Sequence, residues 1–194
     1  MHNRSQLAWL PNAITIGRIL LIPVICWMLA TGSIELRAVA LALYIAAAAS
    51  DWLDGYLARR FDLGSPLGRM LDPIADKLLV ASCLLMLAAD GSINRWALWA
   101  AFVILCREIL VSGLREYLAA LRVSVPVTKL AKWKTTVQLV AIGFLIAGEA
   151  GEQLFPATTL IGILLLWISA IVTIYTGWDY FRAGIHHLIE EDEG

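Results

Sequence analysis

Long apolar runs dominate this chain, and turn signals bound each of them. Pro11 and Asn12 precede the first run, residues 12–30, and Gly32-Ser33 ends it. Further runs cover residues 36–60, 68–89, 94–121, 129–147 and 155–180, separated by Gly64-Ser65-Pro66, Asp90-Gly91-Ser92, a break around Pro126, and a polar loop at residues 148–151. An α-helix needs about 20 residues to cross the hydrocarbon of a bilayer. The pattern therefore predicts an all-α integral membrane protein built as a bundle of six transmembrane helices. Residues 1–10, with His2, Arg4, Trp9 and Leu10, fit a short interfacial helix or a disordered tail about equally well. With no internal repeat, linker or low-complexity segment, residues 1–194 are expected to form a single membrane domain.

Composition sharpens this picture. Of 194 residues, 60% are hydrophobic, and the mean hydropathy is +0.75. Soluble domains have an apolar share of roughly 45–50%, so the outer surface is expected to face lipid. No basic domain or recognition motif supports nucleic-acid binding. Cys26, Cys83 and Cys106 each stand alone in an apolar run and read as small buried hydrophobes rather than disulfide partners or zinc ligands. A cleavable signal peptide is not expected, because Arg18 interrupts the first apolar stretch and no small-residue cleavage pattern follows.

The polar residues inside the apolar pattern carry the chemistry. Asp51 and Asp54 lie three apart near the end of the second span, and Asp72 and Asp76 lie four apart near the start of the third. Each pair shares one helix face, Gly64, Ser65, Pro66 and Gly68 supply a turn that lets the two helices run antiparallel, and Pro73, directly after Asp72, fits a first helical turn. A carboxylate in a membrane span costs about 2.5–3.5 kcal/mol on insertion scales, so four of them need partners. Hard divalent cations take oxygen ligands, and two such ions about 3.5–4 Å apart suit phosphoryl chemistry. The plainer alternative is four aspartates that cap helices or line a polar cavity. Small residues Ala46–Ala49, just upstream, would let the helices approach closely.

Cations flank the acidic stretch. Arg59 stands one turn past Asp54 and can grip a phosphate in bidentate fashion. Arg60 and Arg69 could do the same, or anchor at the membrane surface. Asn12, Thr15 and Arg18 share a face of the first helix, where Arg18 either snorkels to the interface or faces a phosphate. Arg107, Arg115, Lys129, Lys132 and Lys134 form a second basic group, which reads as a second anion site or as a positive-inside excess with a Glu108–Arg115 or Glu116-centred ion network. The Lys and Arg distribution places both termini inside: Arg4, Arg59, Arg60, Arg69, Arg115, Arg122, Lys129, Lys132, Lys134 and Arg182 fall on one side, and Arg37 and Arg95 on the other. The acidic cluster then opens to the cytoplasm.

The pattern D-x2-D-G-x2-A-R-x8-G-x3-D-x3-D resembles the signature of the CDP-alcohol phosphatidyltransferases. Here it is Asp51, Asp54, Gly55, Ala58, Arg59, Gly68, Asp72 and Asp76, with every interval kept. The segments LPNAITIGRILLIP, CREILVSGLREYLAAL and KLAKWKTTVQ look like the bacterial phosphatidylglycerophosphate synthase branch of that family, so the likeness covers nearly the whole chain. The resemblance implies transfer of a phosphatidyl group from CDP-diacylglycerol to sn-glycerol 3-phosphate, giving phosphatidylglycerophosphate and CMP. It implies two Mg2+ or Mn2+ ions on Asp51, Asp54, Asp72 and Asp76, with Asp76 as general base. It assigns Gly55, Ala58, Arg59, Ser65, Gly68 and Arg69 to CDP-diacylglycerol, with Asn12, Thr15 and Arg18 at the edge of the nucleotide pocket. Charge and branch likeness together point to Arg107, Arg115, Lys132 and Lys134 for the acceptor phosphate. Family members are usually homodimers, here expected in the cytoplasmic membrane of a bacterium. The rival readings are a sister enzyme that uses inositol phosphate, phosphatidylglycerol or serine, a membrane prenyltransferase, and a divalent-cation transporter. The Gly55, Ala58, Arg59 and Gly68 pattern argues against the prenyltransferase. The apolar distal halves of the spans argue against the transporter.

Overall fold

The structure, a computed structural model, describes residues 9–61, 65–121 and 129–192; residues 10–11, 52–61, 69, 129–132, 179–180 and 183–192 are described by backbone alone. Six helices account for nearly all of it: α1 (Leu10–Ala30), α2 (Ile34–Phe61), α3 (Pro66–Ala89), α4 (Ala97–Ala120), α5 (Lys129–Glu152) and α6 (Thr158–Asp192). The described residues contain no strand. Among the described residues three stretches are long and apolar enough by themselves to cross a membrane, Asn12–Ala30, Ala97–Ala120 and Thr158–Trp178. The charges that interrupt the other helices are the ones singled out above. Large apolar side chains such as Leu20, Trp27, Leu85, Phe102, Ile109 and Ile171 are exposed, as suits a protein whose solvent is lipid. The chain is an all-α, multi-pass membrane protein.

The boundaries follow the turn signals, with three corrections. The first-turn proline of α3 is Pro66, not Pro73, because Ser65 caps the helix by accepting the Gly68 N–H at 2.9 Å; Pro73 lies inside the helix. The expected loop at residues 148–151 is a kink in α5, at Gly148, with φ 43° and ψ −126°. The last helix runs past residue 180 to Asp192. The expected N-terminal interfacial helix falls almost wholly on residues 1–8, outside the described residues.

The chain divides into two compact units, residues 1–92 with 142–159, and residues 93–141 with 160–194. In the first, α1 packs on both α2 and α3. Its buried stripe is Thr15, Arg18, Ile22, Ile25 and Leu29, alternating three and four residues apart as one helix face requires. The α2 stripe is Arg37, Ala40, Tyr44 and Ala47, continuing to Asp51, and the α3 stripe is Ala75, Leu79, Cys83 and Leu87. Of the run Ala46–Ala49, Ala47 alone is buried. Apolar side chains thus fill the middle of this unit, and charges mark its ends, with Arg37 and Asp51 separated by about 21 Å at 1.5 Å per residue.

One charged end is structural. Arg37 donates to the Ile146 and Leu145 carbonyls at 3.1 Å each, to Asp90 Oδ2 at 2.8 Å and to Ser92 Oγ at 2.6 Å. The kink at Gly148 disturbs the helix ladder next to those carbonyls, and the guanidinium satisfies them. A Cβ on Gly148 would lie 3.0 Å from an Arg37 nitrogen, so the positive φ and the close approach both require glycine. Arg37 therefore ties α2, the turn after α3 and the bent end of α5 together. Removing one member of a buried ion pair costs about 3–5 kcal/mol. Arg37→Met should lower stability by that order in detergent-solubilised protein, read from the shift of its denaturation midpoint. A change below about 0.5 kcal/mol, the usual surface effect, would show that the tie contributes nothing.

In the second unit the buried faces carry unusual polarity. Lys134 and Gln138 of α5, and Ser169, Thr173 and Thr176 of α6, are buried, as are the apolar Ala100, Ile104 and Leu166. Polar side chains in such positions are functional candidates in a membrane protein.

Candidate active site

The acidic stretch is gathered onto one face of α1. Its first turns present Asn12, Thr15 and Arg18 at intervals of three, and each has a partner on another helix. Asn12 Oδ1 accepts from Ser65 Oγ at 2.7 Å. Thr15 Oγ1 donates to Asp72 Oδ1 at 2.8 Å. Arg18 Nη1 donates to Asp51 Oδ1 at 2.7 Å and to Asp76 Oδ1 at 3.1 Å, while its Nε lies 3.4 Å from Ser50 Oγ. A single nitrogen thus holds carboxylate oxygens from α2 and α3 within two hydrogen-bond lengths of each other. The antiparallel pairing expected from the spacing is present for Asp51, Asp72 and Asp76. Asp54, Gly55, Ala58 and Arg59 lie on α2, but their side chains are outside the described residues, as are those of Arg69 and Lys132.

Burial is uneven, and the unevenness matters. The Arg18 side chain is 0% exposed, while Asp51 and Asp76 are 40% and 49% exposed. The guanidinium is sealed inside, so it does not snorkel to the interface. The carboxylates face outward, where water and ions can reach them. Among the described residues Arg18 is the cation that meets this cluster, and three aspartates surround it and Thr15. The set consists of hard oxygen donors, negative in excess and water-accessible, which suits Mg2+ or Mn2+ with several waters retained. Among the described residues no three acidic, His or Cys side chains meet closely enough to hold an ion by themselves. Arg18 stands between two of the carboxylates that would have to meet.

Gly68 has a packing reason. A Cβ there would lie 2.7 Å from Asn12 Oδ1 and 3.2 Å from Ser65 Oγ. The Ser65 hydroxyl accepts from Gly68 and donates to Asn12, so the start of α3 is tied to the start of α1. That tie fixes where Asp72 and Asp76 stand. Beside Arg18, a groove of about 510 Å³ between α1 and α2 is lined by Ile14, Gly17, Leu21, Ala47 and Ser50 among others.

The second basic group lies in the second unit. Arg107 donates through Nε to the Thr173 carbonyl at 3.2 Å and through Nη2 to Thr176 Oγ1 at 3.2 Å. Glu108 hydrogen-bonds Lys134 and lies 3.7 Å from Arg107 Nη1. Arg107 and Lys134 are therefore brought together around one carboxylate. Arg115 is exposed and has no place in these contacts. The ion network weighed in the sequence does form on Glu108, but with Arg107 and Lys134 rather than Arg115. The sequence reading missed Gln138, Ser169 and Thr173, whose side-chain oxygens Oε1, Oγ and Oγ1 are buried without a hydrogen-bond partner among the described residues. Gln138 follows Lys134 by one turn on α5, and Ser169 and Thr173 lie one turn apart on α6. Polar residues at helical spacing within otherwise apolar spans were the available signal.

Comparison with known proteins bears on the whole chain. The family model for CDP-alcohol phosphatidyltransferase matches residues 8–175, spanning both units. A protein of Rickettsia bellii named CDP-diacylglycerol–glycerol-3-phosphate 3-phosphatidyltransferase is 44% identical over 174 residues, covering 90% of this chain and 94% of its own. One of the same name from Pseudomonas fluorescens is 38% identical over 182 residues, covering 92% and 91%. A cardiolipin synthase (CMP-forming) of Oryza sativa is 36% identical over 191 residues, covering 91% of this chain and 57% of its own. With the signature intact on α2 and α3, and its carboxylates drawn together on α1, the chain belongs to the CDP-alcohol phosphatidyltransferase family.

Proposed function

We propose that this enzyme transfers the phosphatidyl group of CDP-diacylglycerol to the 1-hydroxyl of sn-glycerol 3-phosphate, forming phosphatidylglycerophosphate and releasing CMP. The observation that carries the reading is the convergence of Asp51, Asp72 and Asp76 on one face of α1. Relatives named for this activity match about nine-tenths of the chain. Asp51, Asp54, Asp72 and Asp76 would hold two Mg2+ or Mn2+ ions, which supply positive charge against the anionic phosphates. Asp76 accepts the proton of the acceptor hydroxyl as that oxygen attacks the β-phosphorus. The bond from the β-phosphorus to the bridging oxygen breaks, and CMP leaves. Asp76, the more exposed of the two described carboxylates bonded to Arg18, is the better placed of that pair to meet an entering hydroxyl.

Gly55, Ala58, Arg59 and Arg69 are assigned to the donor headgroup through the signature and its neighbourhood. Asn12, Thr15, Ser65 and Gly68 shape the edge of the same site. The acceptor phosphate is assigned to Arg107 and Lys134, with Lys132 and Arg115 as further cations at that end. The enzyme works as a homodimer in a bacterial cytoplasmic membrane, with its termini and site on the cytoplasmic side, as the Lys and Arg distribution supports.

The cardiolipin synthase relative keeps one rival open, with phosphatidylglycerol as acceptor. Purified protein given CDP-diacylglycerol should release CMP with glycerol 3-phosphate and not with phosphatidylglycerol, serine or inositol phosphate. Turnover with phosphatidylglycerol alone would reverse the assignment. Asp76→Asn should lower kcat by about 10²–10⁴, the usual contribution of a general base, at saturating metal. If only metal affinity falls and kcat survives, Asp76 is a ligand and not a base. Lys134→Gln should raise KM for glycerol 3-phosphate about ten- to hundredfold, the loss expected for a hydrogen bond to a charged group. An unchanged KM would move the acceptor phosphate elsewhere.

A further inference from the structure

The groove between α1 and α2 has no part in the chemistry assigned so far. Its volume is about 510 Å³, and its apolar walls include Ile14, Leu21, Ala46 and Ala47. The hollow exists because the facing side chains are small. Gly17 has none, and nothing lies within 4 Å of where its Cβ would stand. The two polar side chains in the wall, Arg18 and Ser50, are already engaged. Arg18 bonds Asp51 and Asp76, and Ser50 Oγ donates to the Ala47 carbonyl at 2.8 Å. What remains is methyl and methylene surface, which suits hydrocarbon and offers nothing to a charged or hydrogen-bonding ligand. The groove opens sideways, where Leu20 is 65% exposed and Ala46 is exposed, on the surface that faces lipid.

Its course is set by the carboxylates. The bond from Arg18 to Asp51 puts those two residues level on α1 and α2. From that level Leu21 lies about 4.5 Å farther along α1, and Ala47 about 6 Å back along α2, at 1.5 Å per residue. Both steps lead away from the acidic end toward the apolar middle of the unit. A lipid whose phosphates are held at Asp51 and Asp76 therefore has its chains starting at the mouth of the groove. Entry of a chain is then intramolecular and favoured by its high effective concentration. A free phospholipid has no such tether.

We propose that one acyl chain of the CDP-diacylglycerol donor lies in this groove, and that Gly17 and Ala46 set the bulk of the chain it admits. The inference rests on the transfer reaction proposed above, which supplies the donor. Moving a chain from bilayer to groove gains little hydrophobic energy, because lipid tails are as apolar as the lining. The groove therefore selects by shape.

The test is photolabelling of the detergent-solubilised full chain by CDP-diacylglycerol with a diazirine in one acyl chain, mapped by mass spectrometry. Label should concentrate on residues 14–21 and 46–50. Excess unlabelled CDP-diacylglycerol should abolish it, and phosphatidylethanolamine should not. Label spread evenly over exposed apolar residues such as Leu85, Phe102 and Ile171, or displaced equally by phosphatidylethanolamine, overturns the proposal. Ala46→Leu extends an exposed side chain into the groove, and Gly17→Leu does so from the other wall. Each should lower the ratio of kcat/KM for dioleoyl over dibutanoyl donor by about tenfold or more, the low end of what a hydrophobic pocket discriminates. General damage would lower both donors alike, so an unchanged ratio in both variants overturns the proposal. Wild-type protein that shows the competed label but releases no CMP would uphold the groove and overturn the transfer reading, a distinguishable result.

Discussion

A buried guanidinium bonded to two carboxylates is the interaction on which the first unit of this protein depends. Arg18 lies in an apolar helix, where an unpaired charge would be prohibitively costly. Its partners must therefore come to it, and they come from α2 and α3. The requirement sets the depth of both helices relative to α1. Thr15 with Asp72 and Asn12 with Ser65 repeat the constraint one and two turns earlier. The signature residues of the family are thus held by side chains that lie outside the signature.

The same unit carries a second buried arginine, and its surroundings differ in charge and in access to water. Arg37 meets one carboxylate, Asp90, and its remaining donors are taken by two carbonyls and Ser92. Charge is balanced there, the donors are satisfied, and Asp90 is largely covered. At the other end, Asp51, Asp72 and Asp76 stand near Arg18, and two of them are nearly half exposed. Among the described residues negative charge is in excess there, and it is within reach of water. Balance with closure makes a staple for the fold, whereas imbalance with access suits the cation site proposed above.

Much of this could be read in the sequence, for identifiable reasons. Helix positions followed from apolar length and from Gly, Pro and Ser breaks, because in lipid the backbone has few alternatives to a helix. The acidic pairing followed from intervals of three and four. Arg37 was read only as a charge on the far side, since nothing local announces that α5 will bend at Gly148 and expose carbonyls to it. The sequence leaves Arg18 between snorkelling and phosphate binding, because its true neighbours lie more than thirty residues away. Arg107 and Lys134 were singled out as cations, but the carboxylate that joins them, Glu108, was weighed only as a background network. The orphan oxygens of Gln138, Ser169 and Thr173 escaped notice, since their isolation depends on tertiary packing that no interval encodes.

The central claim is that the acidic ends of α2 and α3 form one cation site at the start of α1. Anomalous diffraction from crystals soaked in Mn2+ tests it most directly. The account predicts two manganese peaks about 3.5–4 Å apart, within bonding distance of Asp51, Asp54, Asp72 and Asp76. No peak among these aspartates, or manganese bound only elsewhere on the chain, would contradict it.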